Sequence, residues 1–139
     1  MEDKLNKLII RSAEFDQAIS ALLSQAKTPQ LAKCRLSVAM AGISIEHADS
    51  IRMLVYSKNF TSVMALLRTQ FEATTRCIWL FYAADEAYIT KHDPPLTVEN
   101  DGYSDGPDIA KMLRDLDVKP NVPKQASALR KIVKAEFSC

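Results

Sequence analysis

The sequence predicts an all-α fold, an antiparallel bundle of three long helices with one or two shorter C-terminal helices. Apolar residues recur at intervals of three and four through most of the chain, which is typical of helices with one buried face. No stretch alternates apolar and polar residues as a half-buried strand does. With 139 residues, the chain is long enough to bury a core as one domain over residues 1–139.

Capping residues and prolines predict where the helices begin and end. Thr28 and Pro29 separate the first two helices, because threonine caps a helix and proline suits its first position. Pro94 and Pro95 end the third helix, and the loop at 93–106 follows. The abrupt end of the last helix also suggests a C-terminally shortened form of a longer family domain. The predicted helices are about 2–26, 29–58, 61–91, 105–116 and one that begins near Pro123.

The middle of the second helix is rich in small residues. Glycine inside a helix lowers stability by about 1 kcal/mol relative to alanine. We therefore expect that Gly42 is present because close packing against another helix requires a small residue there. We therefore expect the tightest crossing with the third helix near Ala41 and Gly42.

Three charged residues recur every fourth position on the largely apolar third helix: Arg68, Glu72 and Arg76. Residues four apart lie on one face, so Glu72 can accept hydrogen bonds from both arginines. Buried charges are costly unless they are paired, which favours a structural clamp inside the bundle. Alternatively, the arginines form the polar floor of a site for phosphate or carboxylate, whose oxygens match the forked guanidinium donors.

His47 lies on the second helix at a height that matches the charged residues of the third. Helices joined by a short connection pack as antiparallel neighbours, so we expect a hydrogen-bonded contact between His47 and Glu72. A metal centre needs three or four ligands, and the sequence has no HExxH motif. We therefore predict neither a metal nor another cofactor, and we assign no catalytic residue.

Charge and cysteine content narrow the classes of function. A net charge of +1 gives no long-range field that would attract nucleic acid, although a basic C-terminal segment leaves weak contact open. The odd number of widely spaced cysteines favours reduced thiols and a cytoplasmic location. The apolar runs are too short to span a bilayer, so we expect no membrane association. The basic residues are Lys119, Lys124, Arg130, Lys131 and Lys134, and the cysteines are Cys34, Cys77 and Cys139.

Residues 66–80 carry the pattern Leu-x-Arg-x-x-Phe-Glu-Ala-x-x-Arg-x-x-Trp-Leu. Over residues 30–92 the chain resembles an uncharacterised bacterial helical family with this signature, which is distantly similar to HEPN domains. HEPN domains are common in toxin–antitoxin, abortive-infection and other phage-conflict systems, and such helical domains often pair. Active HEPN ribonucleases carry an Arg-x4–6-His motif, whereas Arg130 is followed at that spacing by Ala135, Glu136 and Phe137.

The resemblance and the residues together predict a non-enzymatic helical interaction module in a bacterial or phage conflict setting, namely defence, toxin–antitoxin or anti-defence. It would bind a partner protein or itself, as a homodimer. The alternative is a HEPN-like ribonuclease or a nucleotide- or anion-binding domain. In that case Arg68, Glu72, Arg76 and His47 would line a polar pocket.

Overall fold

The computed structural model describes residues 2–27, 29–94 and 106–127, and over these ranges the chain is an α-helical bundle. The predicted all-α fold is confirmed. Thr28, most of the loop at 93–106 and the C-terminal residues that include Arg130 and Cys139 lie outside the described ranges. The helices are α1 (Glu2–Gln25), α2 (Ala32–Tyr56), α3 (Phe60–Tyr82), α4 (Glu86–His92), α5 (Ile109–Val118) and α6 (Lys124–Ser127).

The centre of the fold is the antiparallel pair α2 and α3. A three-residue connection joins them, in which Lys58 adopts a left-handed backbone conformation with φ of 57°. The Ser37 hydroxyl donates to the Cys77 carbonyl (3.1 Å), and further along the pair the Ser44 and Thr74 hydroxyls are 2.7 Å apart. These two contacts set the register of the pair, so the first half of α2 lies beside the second half of α3.

The two helices approach closely at these serines, and the packing reason expected for Gly42 in a crossing near Ala41 and Gly42 is wrong. A methyl group built on Gly42 would meet no atom within 4 Å, because this residue faces away from α3. Ser37 is buried and is small enough to let its hydroxyl reach the opposite backbone. The small-residue segment of α2 does mark the interface, but other members of it make the contact.

The hydrophobic core lies where α4 and α5 cover the C-terminal half of α3. Trp79 and Leu80 of α3 pack there with Ile89 of α4, and Met112 and Leu116 of α5 are almost completely buried. This cluster closes the end of the bundle opposite the connection between α2 and α3.

The third predicted helix is two helices in the structure, so its expected continuation to residue 91 is wrong. The chain turns after Tyr82, and Asp85 caps a new helix by accepting a 2.7 Å hydrogen bond from the Tyr88 backbone N–H. The turn brings the Tyr88 ring edge-on to Trp79, with ring centroids 4.9 Å apart. The next helix, expected from about 105, begins at Ile109, and Asp108 caps it in the same way by accepting from the Lys111 N–H at 2.6 Å.

Candidate functional site

The predicted charged ladder on α3 is only half formed. Arg76 donates to Glu72 Oε1 at 3.2 Å, whereas Arg68 is exposed and has no ion-pair partner within the described ranges. The Glu72 side chain is itself half exposed. The pair is therefore not a sealed clamp across the bundle, and Arg76 is the more buried of its two members, with 22% of its side chain exposed.

The expected hydrogen bond between His47 and Glu72 is wrong. In the part of the chain that the structure describes, the Nδ1 atom of His47 is buried without a hydrogen-bond partner. The register of α2 and α3 does place the two residues at similar heights, but Glu72 turns toward Arg76 and a cavity further along the bundle. Of the four predicted site residues, the structure brings together Glu72 and Arg76 and leaves Arg68 and His47 outside that cavity.

This cavity measures about 410 Å³ and lies between α2, α3, α4 and the segment that leads into α5. Leu36, Ala39 and Met40 form an apolar wall on α2. The opposite wall is polar and contains side chains from α3 and α4. The remaining lining residues are Glu72, Arg76, Leu80, Tyr88, His92, Gly106, Pro107 and Asp108.

Two hydrogen-bond donors converge beside Gly106 at the edge of the cavity. A methyl group on Gly106 would lie 3.0 Å from Arg76 Nη1 and 3.3 Å from the Tyr88 hydroxyl oxygen. Arg76 also reaches the Pro107 carbonyl through Nη2, at 3.4 Å. A side chain at position 106 would therefore have to displace the end of Arg76, whose guanidinium lies between α3 and the segment at 106–108.

The His92 ring packs against the Tyr88 ring. The two rings stack with centroids 3.9 Å apart, and His92 Nδ1 lies 2.8 Å from the Tyr88 carbonyl oxygen. Because His92 is buried, this stack fixes the direction of the Tyr88 hydroxyl. Sequence reasoning missed Tyr88, His92 and Gly106. Asp85, the N-cap of α4, is a partial signal for the break before Tyr88 and His92, and no local signal places Gly106 beside them.

A second candidate site is a largely exposed apolar face of α1, next to the contact that α1 makes with α2. Six residues recur at alternating intervals of three and four, the spacing of a coiled-coil seam. Three of them are largely exposed: Leu8 (64%), Phe15 (69%) and Leu22 (70%). We call these six residues the α1 seam: Leu5, Leu8, Ser12, Phe15, Ile19 and Leu22.

Arg52 of α2 holds α1 in place beside this seam. Its guanidinium donates to Asp16 and to the Ser12 hydroxyl on α1, and to Asp49 on its own helix. Burial by itself would lower the pKa of Arg52, but the hydrogen bonds and attraction from Asp16 and Asp49 outweigh it and raise the pKa. The Arg52 side chain is 13% exposed, so this pairing is a well-shielded link between the two helices.

Within residues 2–27, 29–94 and 106–127, no three histidine, cysteine or acidic side chains are grouped as metal ligands would be. None of the helices in these ranges combines the length and the apolar character that a bilayer span requires.

Comparison with known proteins places the chain in a family without assigning it an activity. No curated protein and no solved structure matches it significantly. The family match begins within α2 and extends to residue 137, so it includes Arg76, Tyr88 and Gly106 but not α1. Because residues 41–137 match and make up more than half of the sequence, the chain belongs to DUF6988, a family of unknown function.

Proposed function

We propose that this protein is a non-enzymatic helical interaction module that pairs with a second copy of itself through the α1 seam. The observation that carries the proposal is the exposure of Leu8, Phe15 and Leu22 on one helix face. Large contiguous apolar surfaces on soluble proteins mark interaction sites. A helix in a folded protein gains most of its stability from packing of its apolar face, which favours a partner for α1 beyond its link to Arg52.

The spacing and sizes of the seam residues favour an antiparallel pair of α1 helices. In that arrangement Leu5 packs against Leu22 of the second copy, and Leu8 packs against Ile19. Ser12, the smallest member, then lies opposite Phe15, the largest, so their volumes complement each other. A parallel pair would place Phe15 against Phe15 and Ser12 against Ser12, which crowds one layer and leaves a gap in another.

Charge also permits the antiparallel pair. The positions that flank its seam place Lys4 near Gln25, and Arg11 near Ala18, so no like charges face each other there. Asp16 also flanks the seam, but Arg52 of its own chain neutralises it. At these positions, pairing of two identical α1 helices therefore brings no like charges together. Such repulsion would have favoured a partner with a different sequence.

The biological setting is the second part of the proposal. The distant similarity to HEPN domains supports a bacterial or phage conflict role in the cytoplasm, as a defence, toxin–antitoxin or anti-defence component. The pattern on α3 carries the resemblance to the uncharacterised helical family, and it also supplies Glu72 and Arg76. Phage should form plaques with a different efficiency on a host strain that expresses the protein than on the same strain without it. If pairing is required, the Phe15→Glu variant should abolish this difference.

Light scattering coupled to gel filtration tests self-pairing. The natural chain should have the mass of a dimer, and Phe15→Glu should have the mass of a monomer, because two carboxylates would be buried in the seam. Ala21→Glu is the matched control, since it adds the same charge to an exposed position of α1 outside the seam. A monomeric natural chain, or equal dissociation by both variants, would refute pairing through this face.

A further inference from the structure

The cavity beside Gly106 contains fixed charges of both signs and hydrogen-bonding groups that its own contacts leave unused. We propose that it binds a free amino acid with an apolar side chain. Arg76 and Tyr88 would hold the carboxylate of this ligand, and Glu72 and Asp108 would hold its ammonium group. This site is separate from the α1 seam, so the inference does not rest on self-pairing.

The carboxylate end of the proposed ligand is defined by two donors that both lie next to Gly106 at the edge of the cavity. Both hydrogen bonds that Arg76 makes to described residues use Nη2, and both are long, at 3.2 and 3.4 Å. Arg76 Nη1 and the Tyr88 hydroxyl oxygen both lie within 3.3 Å of the position that a methyl group on Gly106 would take, and neither has a hydrogen-bond partner in the described part of the chain. A guanidinium and a hydroxyl in this position match the two oxygens of a carboxylate.

The ammonium end follows from the charge balance of the cavity. Among the described residues, its permanently charged lining consists of Arg76, Glu72 and Asp108. A simple anion would meet an excess of negative charge, whereas a zwitterion offers a positive group to the two carboxylates. Glu72 uses Oε1 for Arg76 and Asp108 uses Oδ1 for the cap of α5, and a carboxylate has further acceptor sites.

The apolar wall gives the ligand its side-chain preference. Leu36 and Met40 of α2 and Leu80 of α3 line the cavity, so an aliphatic or aromatic side chain would be removed from water there. A volume of about 410 Å³ lies within the range of small-molecule pockets and leaves room for a single amino acid.

Calorimetric titration of the full chain with leucine, methionine and phenylalanine tests the proposal. Two analogues of leucine then test the two charged groups separately: 3-methylbutylamine lacks the carboxylate, and 4-methylpentanoate lacks the ammonium group. At least one of the three amino acids should bind, and the two analogues should bind at least about tenfold more weakly than leucine, since each loses a charge-assisted contact. Failure of all three amino acids, or equal binding of either analogue, would overturn the assignment, as would preferential binding of phosphate or of adenosine monophosphate.

Tyr88→Phe locates the binding, because it removes one hydroxyl and keeps the ring that stacks on His92. Affinity should fall about tenfold or more, as expected for a lost hydrogen bond to a charged group. Tyr82→Phe is the matched control, since Tyr82 packs on Phe81 and does not line the cavity. Gly106→Ala should also weaken binding, because its methyl group displaces Arg76 Nη1. Unchanged affinity in Tyr88→Phe would place any binding elsewhere and contradict the proposal.

Discussion

The indole nitrogen of Trp79 donates a 2.9 Å hydrogen bond to Asp115 Oδ2, which joins α3 to α5 at the edge of the core. Lys111 Nζ lies 2.8 Å from the same oxygen. Burial would raise the pKa of Asp115, but the hydrogen bonds from Lys111 and Trp79 outweigh it and lower the pKa. The ionised carboxylate therefore stabilises the contact between the two helices.

Asp115→Asn should lower the free energy of unfolding by roughly 1–2 kcal/mol at pH 7, because hydrogen bonds to a charged group are lost. The pKa of Asp115 is lower in the folded state than the usual value near 3.9 of the unfolded chain. Its contribution is therefore complete above the unfolded pKa and disappears as the pH falls through the folded pKa. Urea unfolding at pH 7 and pH 3 measures the effect, with Glu46→Gln on the exposed face of α2 as the control. If the Asp115→Asn variant were less stable than the natural chain by the same amount at pH 3 as at pH 7, the proposed role of the ionised carboxylate would be contradicted.

Gly42→Ala should raise the free energy of unfolding by about 1 kcal/mol, because alanine restricts the unfolded chain and favours the helix. The added methyl group meets nothing within 4 Å, so no packing cost opposes the gain. Thermal or urea unfolding measures the change. A loss of stability would show that another surface packs against this face of α2.

Arg52→Gln should release α1 from α2 and leave the α2–α3 pair folded. Arg52 is the cation that both Asp16 and Asp49 contact, and its removal leaves these carboxylates without their partner. Hydrogen exchange should show at least about tenfold faster exchange in α1, which corresponds to about 1.4 kcal/mol. Arg11→Gln, at an exposed position of α1, is the control. Equal loss of protection throughout α2 and α3 would instead assign Arg52 to the stability of the whole fold.

Cys77 should react slowly with alkylating reagents in the native protein. Burial raises the pKa of its thiol, and the thiolate is the reactive form. Alkylation by iodoacetamide at pH 8, followed by mass spectrometry, should be slower for native than for urea-unfolded Cys77, because the native thiol is less ionised and partly shielded. Equal rates would mean that this part of α3 opens readily.

Local signals predicted the helices well where a cap or a proline marks the boundary. The helix expected from about 105 begins at Ile109 with Asp108 as its cap, and the small-residue segment of α2 does contact α3. The break before α4 escaped prediction because residues 83–85 contain neither glycine nor proline. Asp85 is a suitable cap, but aspartate also occurs on exposed helix faces, so it could not alone divide the helix.

The cavity was harder to predict because its parts come from distant segments. Glu72 and Arg76 are four residues apart, and their pairing follows from helix geometry. Tyr88 and Gly106 join them only after α4 turns back, which is a tertiary event without a local signature. The periodicity of α1 likewise predicts an apolar face but does not say whether that face packs within the chain or on another molecule.

Disulfide trapping of the α1 seam tests the central claim most directly. In a Cys139→Ser background, a chain with both Leu8→Cys and Ile19→Cys should form a linked dimer on mild oxidation, since these positions face each other in the antiparallel pair. Either substitution alone should not form it, and neither should the off-seam pair Ile10→Cys with Ala21→Cys. A dimer from Leu8→Cys alone would indicate parallel helices, which contradicts the antiparallel seam. No linkage in the double variant, or equal linkage off the seam, would contradict pairing through α1.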